Sequence, residues 1–271
     1  MSNTIALLTD FGWEDNYVGI MKGVILKINP RAQVVDLCHA ICPQDILQGA
    51  LALKSAYRFF PSKTIFLAVV DPGVGSRRKA LIVKTRDHFF VGPDNGLLSP
   101  VLEEERGAEI RAITNDRYFL KPLSQTFHGR DIFAPVAAWL SRGTAPSRFG
   151  PQQRTFVHCH WPQPGVDRKK GRIGIRGEII AIDHFGNLIT NIEPKHLNTL
   201  RGGGFRIKIK NKVINRLARS YAETPKGDFL AIVGSKGYLE IAINQGSAGK
   251  ILKVVKGDSI EVEKFPLTLK R

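Results

Sequence analysis

Acidic residues are scarce beside the basic ones: 24 Asp and Glu stand against 40 Lys and Arg, a formal charge of +16 over 271 residues. Such an excess favours an anionic partner, nucleic acid or a phosphorylated ligand. The basic residues are scattered, however, with short clusters at Arg77 to Lys79, Arg168 to Lys170 and Arg206 to Lys212. No basic tail or aromatic-studded repeat concentrates them, which argues against a nucleic-acid partner. Cysteine is nearly absent as well. Cys38, Cys42 and Cys159 form an odd set of three that closes no disulfide framework and points to a reducing compartment, the cytoplasm. Cys38 and Cys42 bracket His39, but the spacing is not a two-residue zinc knuckle and no second pair follows. No metal site is expected there, and the thiols read as small buried hydrophobes. No stretch reaches the roughly 18 apolar residues of a membrane span. The opening MSNTIALLTDFG lacks the basic and apolar regions of a secretory signal and reads as a first strand.

What is present is a globular composition, 43% hydrophobic and 24% charged with 15 prolines, long enough for one large domain or two modest ones. A strand over residues 4 to 9 precedes a helical stretch around Asn16 to Ile28 and a strand-like Gln33 to Leu37. Ile46, Leu47, Ala50, Leu51 and Leu53 to Ala56 recur near helical spacing, and Thr64 to Val70 is a continuous apolar run suited to a strand buried on both faces. This alternation predicts an α/β domain with a largely parallel sheet, continuing through Ala80 to Thr85 and His88 to Val91. Asn95-Gly96 marks a tight turn and Ile132 to Leu140 a further helix. After it the chain becomes rich in proline, glycine and charge. Beyond lie short alternating segments at Ile173 to Ile182, Phe205 to Ile209, Phe229 to Val233, Tyr238 to Ile243 and Ser259 to Val262, the pattern of a small all-β barrel. The expected division is an α/β domain over 1–150, a linker over 151–166 and a carboxy-terminal β-barrel over 167–271.

In an open α/β sheet, ligands collect beyond the carboxyl ends of the strands. Asp10 follows IALLT, and Asp71 follows TIFLAVV to open DPGVGSRR. A carboxylate at a strand tip matches the vicinal diol of a ribose, although a lone aspartate in such a place commonly caps its own loop. The glycines of DPGVGS form neither a G-x-G-x-x-G fingerprint nor a lysine-bearing phosphate loop. His128, in TFHGRD, precedes an apolar helix pattern where a loop histidine faces a cleft, though most histidines are structural. Composition alone does not separate Arg78 from Arg77.

Taken together, LLTDFG, VVDPGVGSRRKA, GPDNGLL, TFHGRDIFAP, DHFGNLITNI and GSKGYLEIAIN resemble one family, the S-adenosyl-L-methionine hydroxide adenosyltransferases, relatives of fluorinating and chlorinating enzymes that use the same substrate. The resemblance runs from Ile5 to about Val255 and rests on six ordered motifs. It implies an amino-terminal α/β domain, a carboxy-terminal β-barrel, and a homotrimer with active sites between subunits. Asp71, Arg78 and His128 match the family's Asp, Arg and His set, which leaves Arg77 outside it. Asp10 looks like the ribose-diol acceptor and Asn187 like an adenine contact. Asp183 and Ser235 would hold the amino-acid part, while Glu240 and the backbone near Ile243 would complete the adenine pocket. Lys236 stands where the halogenating relatives carry arginine, a point charge rather than a fork.

The implied reaction converts S-adenosyl-L-methionine to adenosine and L-methionine. The halogenating relatives place a tyrosine where this chain has Asp71, and a tyrosine-serine pair where it has His128-Gly129. A carboxylate repels halide and accepts a proton from water, so water or hydroxide is the implied nucleophile. The sulfonium leaves as a neutral thioether, which asks for no metal and no cofactor. Asp71 would take a hydrogen bond or proton from the water and Arg78 would fix its rotamer. His128 would orient the water or share its proton. Two alternatives are a basic nucleic-acid-binding protein and an adenosine sensor with the same fold.

Overall fold

The computed structural model describes residues 4–169, 172–200 and 204–265. Backbone contacts divide the chain into two compact units, Met1–His160 and Trp161–Arg271.

The first unit is built on a seven-stranded sheet. Its strands are β1 (Thr4–Thr9), β2 (Gln33–Cys38), β3 (Ile65–Val69), β4 (Ala80–Lys84), β5 (Phe89–Pro93), β6 (Glu109–Ala112) and β7 (Gln152–Gln153), in the spatial order β2-β1-β3-β5-β4-β6-β7. Between them lie α1 (Tyr17–Ile28), α2 (Ile46–Ala56), α3 (Ser99–Glu104) and α4 (Ala134–Ser141). The apolar run over 64–70 becomes β3, buried along its whole length at the centre of the sheet. Alternate side chains of β1 serve opposite faces: Ile5 and Leu7 pack with Met21 and Ile25 of α1 and with the buried face of α4. Leu8 points the other way, towards α2 at Gly49. Each such side chain contributes about 1.5–3 kcal/mol by leaving water. At Gly49 a Cβ would stand 2.9 Å from Leu97 and 3.0 Å from Val70, so only glycine lets α2 lie this close to the sheet.

The sheet is largely parallel, with β2, β1, β3 and β5 aligned, but β4 runs antiparallel to both β5 and β6. The reason is the short connection from Thr85 to His88, closed by Thr85 N–H to the His88 carbonyl at 2.9 Å. A link this short permits a hairpin and not a parallel crossover. The cysteines also differ from expectation, because Cys42 is exposed and Cys38 and Cys159 are only half-buried. All three are free thiols.

The second unit is mostly strand: β8 (Gly165–Lys169), β9 (Arg172–Ile182), β10 (Leu188–Thr190), β11 (Gly204–Ile209), β12 (Lys212–Ile214), β13 (Leu217–Ala218), β14 (Phe229–Val233), β15 (Leu239–Ile243) and β16 (Ser259–Phe265), with short helices α5 (Pro194–Leu197) and α6 (Ala248–Leu252). They form one nine-stranded sheet in the order β12-β11-β16-β9-β10-β15-β14-β13, with β8 added on β9. The sheet curls so that β12 meets β14, and its inner face packs Ile175, Ile179, Leu188, Ile207, Leu239, Ile241, Ile260 and Val262 into one core. Two lysines of the basic run over 206–212, Lys208 on β11 and Lys210 in the turn after it, are answered by acids: Lys208 pairs with Glu263 at 3.0 Å and Lys210 with Asp258 at 2.8 Å. These two lysines, already paired, offer less to a phosphate backbone than free ones would. Among the described residues, no helix is long and apolar enough to cross a membrane.

Candidate active site

Parallel pairing of β1 with β3 sets Thr9 opposite Val69, so the loops that begin with Asp10 and Asp71 leave the same edge of the sheet. The loop after β3 folds back through successive turns, Val74 N–H to the Asp71 carbonyl at 3.2 Å and Ser76 N–H to the Gly73 carbonyl at 3.1 Å. Gly75 adopts φ +77°, and a Cβ there would collide with the Gln125 carbonyl. This reversal returns Arg78 to Asp71. Its Nε donates to Oδ1 and Oδ2 at 2.9 and 3.0 Å, and its Nη2 to Oδ2 at 2.5 Å. The two side chains are 10% and 6% exposed, which makes this a largely desolvated, charge-assisted fork. The guanidinium carbon also lies 5.3 Å from the centre of the Phe133 ring. Arg77, its neighbour, is exposed.

His128 precedes a single π-helical turn, Gly129–Phe133, that runs into α4. Pro135 explains the irregularity, since it has no N–H for the carbonyl four residues earlier. That carbonyl, of Asp131, instead accepts from Leu120 N–H at 2.8 Å. The Asp131 side chain is fully buried and ties down the preceding loop through Ser124 N–H at 2.7 Å. Thus held, His128 Nδ1 lies 2.8 Å from Arg78 Nη2. A guanidinium only donates, so Nδ1 is the acceptor and the ring proton is assigned to Nε2. Burial, and then the charge of Arg78, hold the imidazole below its ordinary pKa and therefore neutral. Among the described residues, His128 Nε2 is buried with no hydrogen-bond partner. The triad thus ends in an N–H that no described residue satisfies.

Asp10 is half engaged. Its Oδ2 accepts from Gln44 N–H at 2.7 Å, a bond to the connection after β2 and not a cap on its own loop. The aromatic rings of Phe11, Tyr17 and Phe127 form one cluster beside His128 and Gly129, and Trp13 is 60% exposed.

The remaining expected residues lie in the second unit. Between β9 and β10 a turn with Gly186 at φ +86° closes through Asp183 N–H to the Asn187 carbonyl at 3.0 Å. Both oxygens of Asp183 are then occupied by Asn187, Oδ1 by its backbone N–H and Oδ2 by its Nδ2, each at 2.8 Å. Asp183 therefore fixes the orientation of the Asn187 amide, which is 6% exposed. Asn187, Ile243, Phe185, Tyr221, Gln245 and Gly246 line a cleft of ≈ 510 Å³. Glu240 on β15 is 5% exposed and packs where any side chain at Gly234 would stand. Burial and the nearby Asp183 raise its pKa, an effect that Lys236 partly opposes. Ser235 and Lys236 are exposed in the turn between β14 and β15. The cleft residues Phe185 and Tyr221 were not among the expected ones. Phe185 had a signal, being a large aromatic in DHFGN that remains 73% exposed, whereas Tyr221 stands in no motif.

The forked Asp71–Arg78 pair beside a neutral His128 in the first unit, and in the second a cleft lined by the rings of Phe185 and Tyr221, are each the kind of feature that an enzyme acting on a ring-bearing small molecule carries. The chain belongs to the SAM hydroxide adenosyltransferase family, whose N-terminal domain matches residues 5–150 and whose C-terminal domain matches residues 177–261. An (R)-S-adenosyl-L-methionine hydrolase of Thermus thermophilus is 37% identical, over 93% of this chain and 96% of its own. A fluorinase of Actinopolyspora mzabensis is 26% identical, over 95% of this chain and 96% of its own. A crystal structure of a conserved protein from Thermotoga maritima superposes with a TM-score of 0.87 at 40% identity, covering 95% of this chain and 99% of that one.

Proposed function

We propose that the protein hydrolyses S-adenosyl-L-methionine to adenosine and L-methionine by attack of water on the ribose C5′. The observation that carries this reading is the triad: a forked Asp71–Arg78 pair that fixes a carboxylate, and beside it the unsatisfied Nε2–H of His128. In the reaction the water oxygen bonds to C5′ as the C5′–S bond breaks. The electron pair passes to sulfur, which leaves as the thioether of methionine, and the water proton passes to Asp71 and then to solvent. His128 donates through Nε2 to one lone pair of the water oxygen, and the water's other lone pair attacks C5′. With Nδ1 held by Arg78 the imidazole has no free acceptor, so Asp71 is the base. Orientation of a well-placed pair supplies up to about 7–11 kcal/mol, and a positioned base about 10²–10⁴ in rate. The departing thioether is neutral, so no metal or cofactor enters the scheme.

Asp10 offers its second oxygen to the ribose diol. Asn187 and the backbone at Ile243 take the adenine, with Glu240 beside them. Asp183, Ser235 and Lys236 face the amino-acid part. The relatives' name specifies the (R)-sulfonium, and this epimer is the proposed substrate. We extend the proposal to a cytoplasmic homotrimer whose subunits share the substrate. The three free thiols support the first part, and the exposed aromatics Trp13 and Phe185 support the second. Separated (R) and (S) epimers, incubated with the purified protein and followed by chromatography, test the reaction. Adenosine and methionine should form faster from (R). Methylthioadenosine as the main product, above its spontaneous formation, contradicts the reading.

A further inference from the structure

A second polar chain lies behind Asp10, and none of its members takes part in the chemistry above. Thr9, the last residue of β1, is fully buried, and its Oγ1 accepts from Phe11 N–H at 3.2 Å. The same oxygen lies 2.7 Å from Nδ1 of His39, which is 1% exposed. The other ring nitrogen, Nε2, is 2.9 Å from Asp36 Oδ1, and Lys22 of α1 donates to Asp36 Oδ2 at 2.7 Å. Directions follow from the ends. The carboxylate of Asp36 accepts, so Nε2 carries the proton, Nδ1 accepts, and the Thr9 hydroxyl donates to it. Burial lowers the pKa of His39, in keeping with this neutral form.

The chain grips the Asp10 loop from both sides. The His39 ring holds Thr9, and through it Phe11, while the His39 carbonyl accepts from Gly12 N–H at 2.8 Å. The Trp13 ring closes edge-on over His39 at 4.7 Å. Asp10 sits between these fixed points, with one oxygen tied to Gln44, which stands in the connection that follows His39. Thr9 and His39 are buried and satisfied, while the chain ends at the surface in the exposed Asp36, paired with Lys22; its buried part rigidifies what it holds.

We propose that Thr9, His39 and Asp36 are positioning residues for ribose recognition, setting the rotamer and height of the Asp10 carboxylate against the sugar diol. This inference rests on the reading of Asp10 as the diol acceptor, and the test separates the two. The measurement is the ratio of dissociation constants for 2′,3′-dideoxyadenosine and adenosine, obtained by calorimetry on the full-length protein. A merely structural role weakens both ligands together and leaves the ratio alone. Asp10→Ala should bring the ratio close to one. Thr9→Val, which keeps the buried shape, should lower it by about fivefold or more, the loss expected for one misaligned charged hydrogen bond. Thr9→Ser, which restores the hydroxyl, should recover it. His39→Gln, whose amide both accepts and donates, serves if Thr9→Val does not fold, and should give an intermediate ratio. If Asp10→Ala leaves the ratio at the wild-type value, the diol assignment is wrong and the inference falls with it. If Asp10→Ala collapses the ratio while folded Thr9→Val or His39→Gln keeps it, Asp10 needs no positioning by this chain and the inference alone is overturned.

Discussion

Asp71→Asn separates binding from chemistry. The carboxylate accepts three contacts from Arg78 at 2.5 to 3.0 Å, with both side chains at most 10% exposed. An asparagine in the same volume keeps one acceptor and turns an N–H₂ towards the guanidinium. At least one charged hydrogen bond is lost, about 1.5–3 kcal/mol, which should appear as a lower melting temperature. The chemical loss is distinct. Without a base the rate should fall by about 10² or more, equal to at least about 2.7 kcal/mol of transition-state stabilisation. In bound adenosine the 5′-hydroxyl takes the place of the attacking water, and it can donate to the side-chain oxygen of Asp or Asn alike, so its dissociation constant should stay within a few fold. The assay pairs kcat at saturating substrate with calorimetric binding of adenosine. Wild-type kcat in the folded Asn variant would refute the assignment of Asp71 as base.

Arg78→Lys should resemble Asp71→Asn in kcat, because an ammonium cannot serve both Asp71 oxygens and His128 Nδ1, whereas Arg77→Ala should change kcat little; steady-state kinetics compare them. Asp183→Ala should weaken adenosine and substrate alike, by about tenfold, since Asp183 holds the Asn187 amide through both oxygens; calorimetry reads both affinities, and an unchanged adenosine affinity would contradict the coupling. Stability should fall as pH drops below 6.5, because burial lowers the pKa of His39, His88, His128 and His196 and the unfolded chain takes up protons that the fold refuses. Glu240, with its pKa raised from 4.5, acts in the opposite sense as pH rises above that value. Melting temperature against pH, with His128→Gln giving a shallower acid decline, checks the sign.

Much of this arrangement is legible in the sequence, and the exceptions have physical causes. An unbroken apolar run specifies a strand buried on both sides, and Thr64 to Val70 became β3. The run Phe229 to Val233 became β14 without change of bounds. Strand direction is not contained in such a run. For β4 it lies in the short link from Thr85 to His88, a signal that composition and periodicity pass over. The π turn after His128 depends on Pro135 and on Leu120, which lies well upstream, so local pattern reads it only as helix. The Asp, Arg and His set was legible as motifs, but the tautomer of His128 needed the geometry of Arg78. Asp10 binds Gln44 of the connection after β2 and not its own loop, a tertiary contact that its motif does not signal. Tyr221 entered the cleft by tertiary placement alone. Phe185 was signalled by its place in DHFGN.

The central claim is that water attacks C5′, and oxygen-18 water tests it most directly. The purified protein converts S-adenosyl-L-methionine in labelled water, and mass spectrometry examines both products. One label should appear in the 5′-hydroxyl of adenosine and none in methionine. Unlabelled adenosine, or label carried by the methionine fragment, would contradict the displacement and the roles assigned to Asp71, Arg78 and His128.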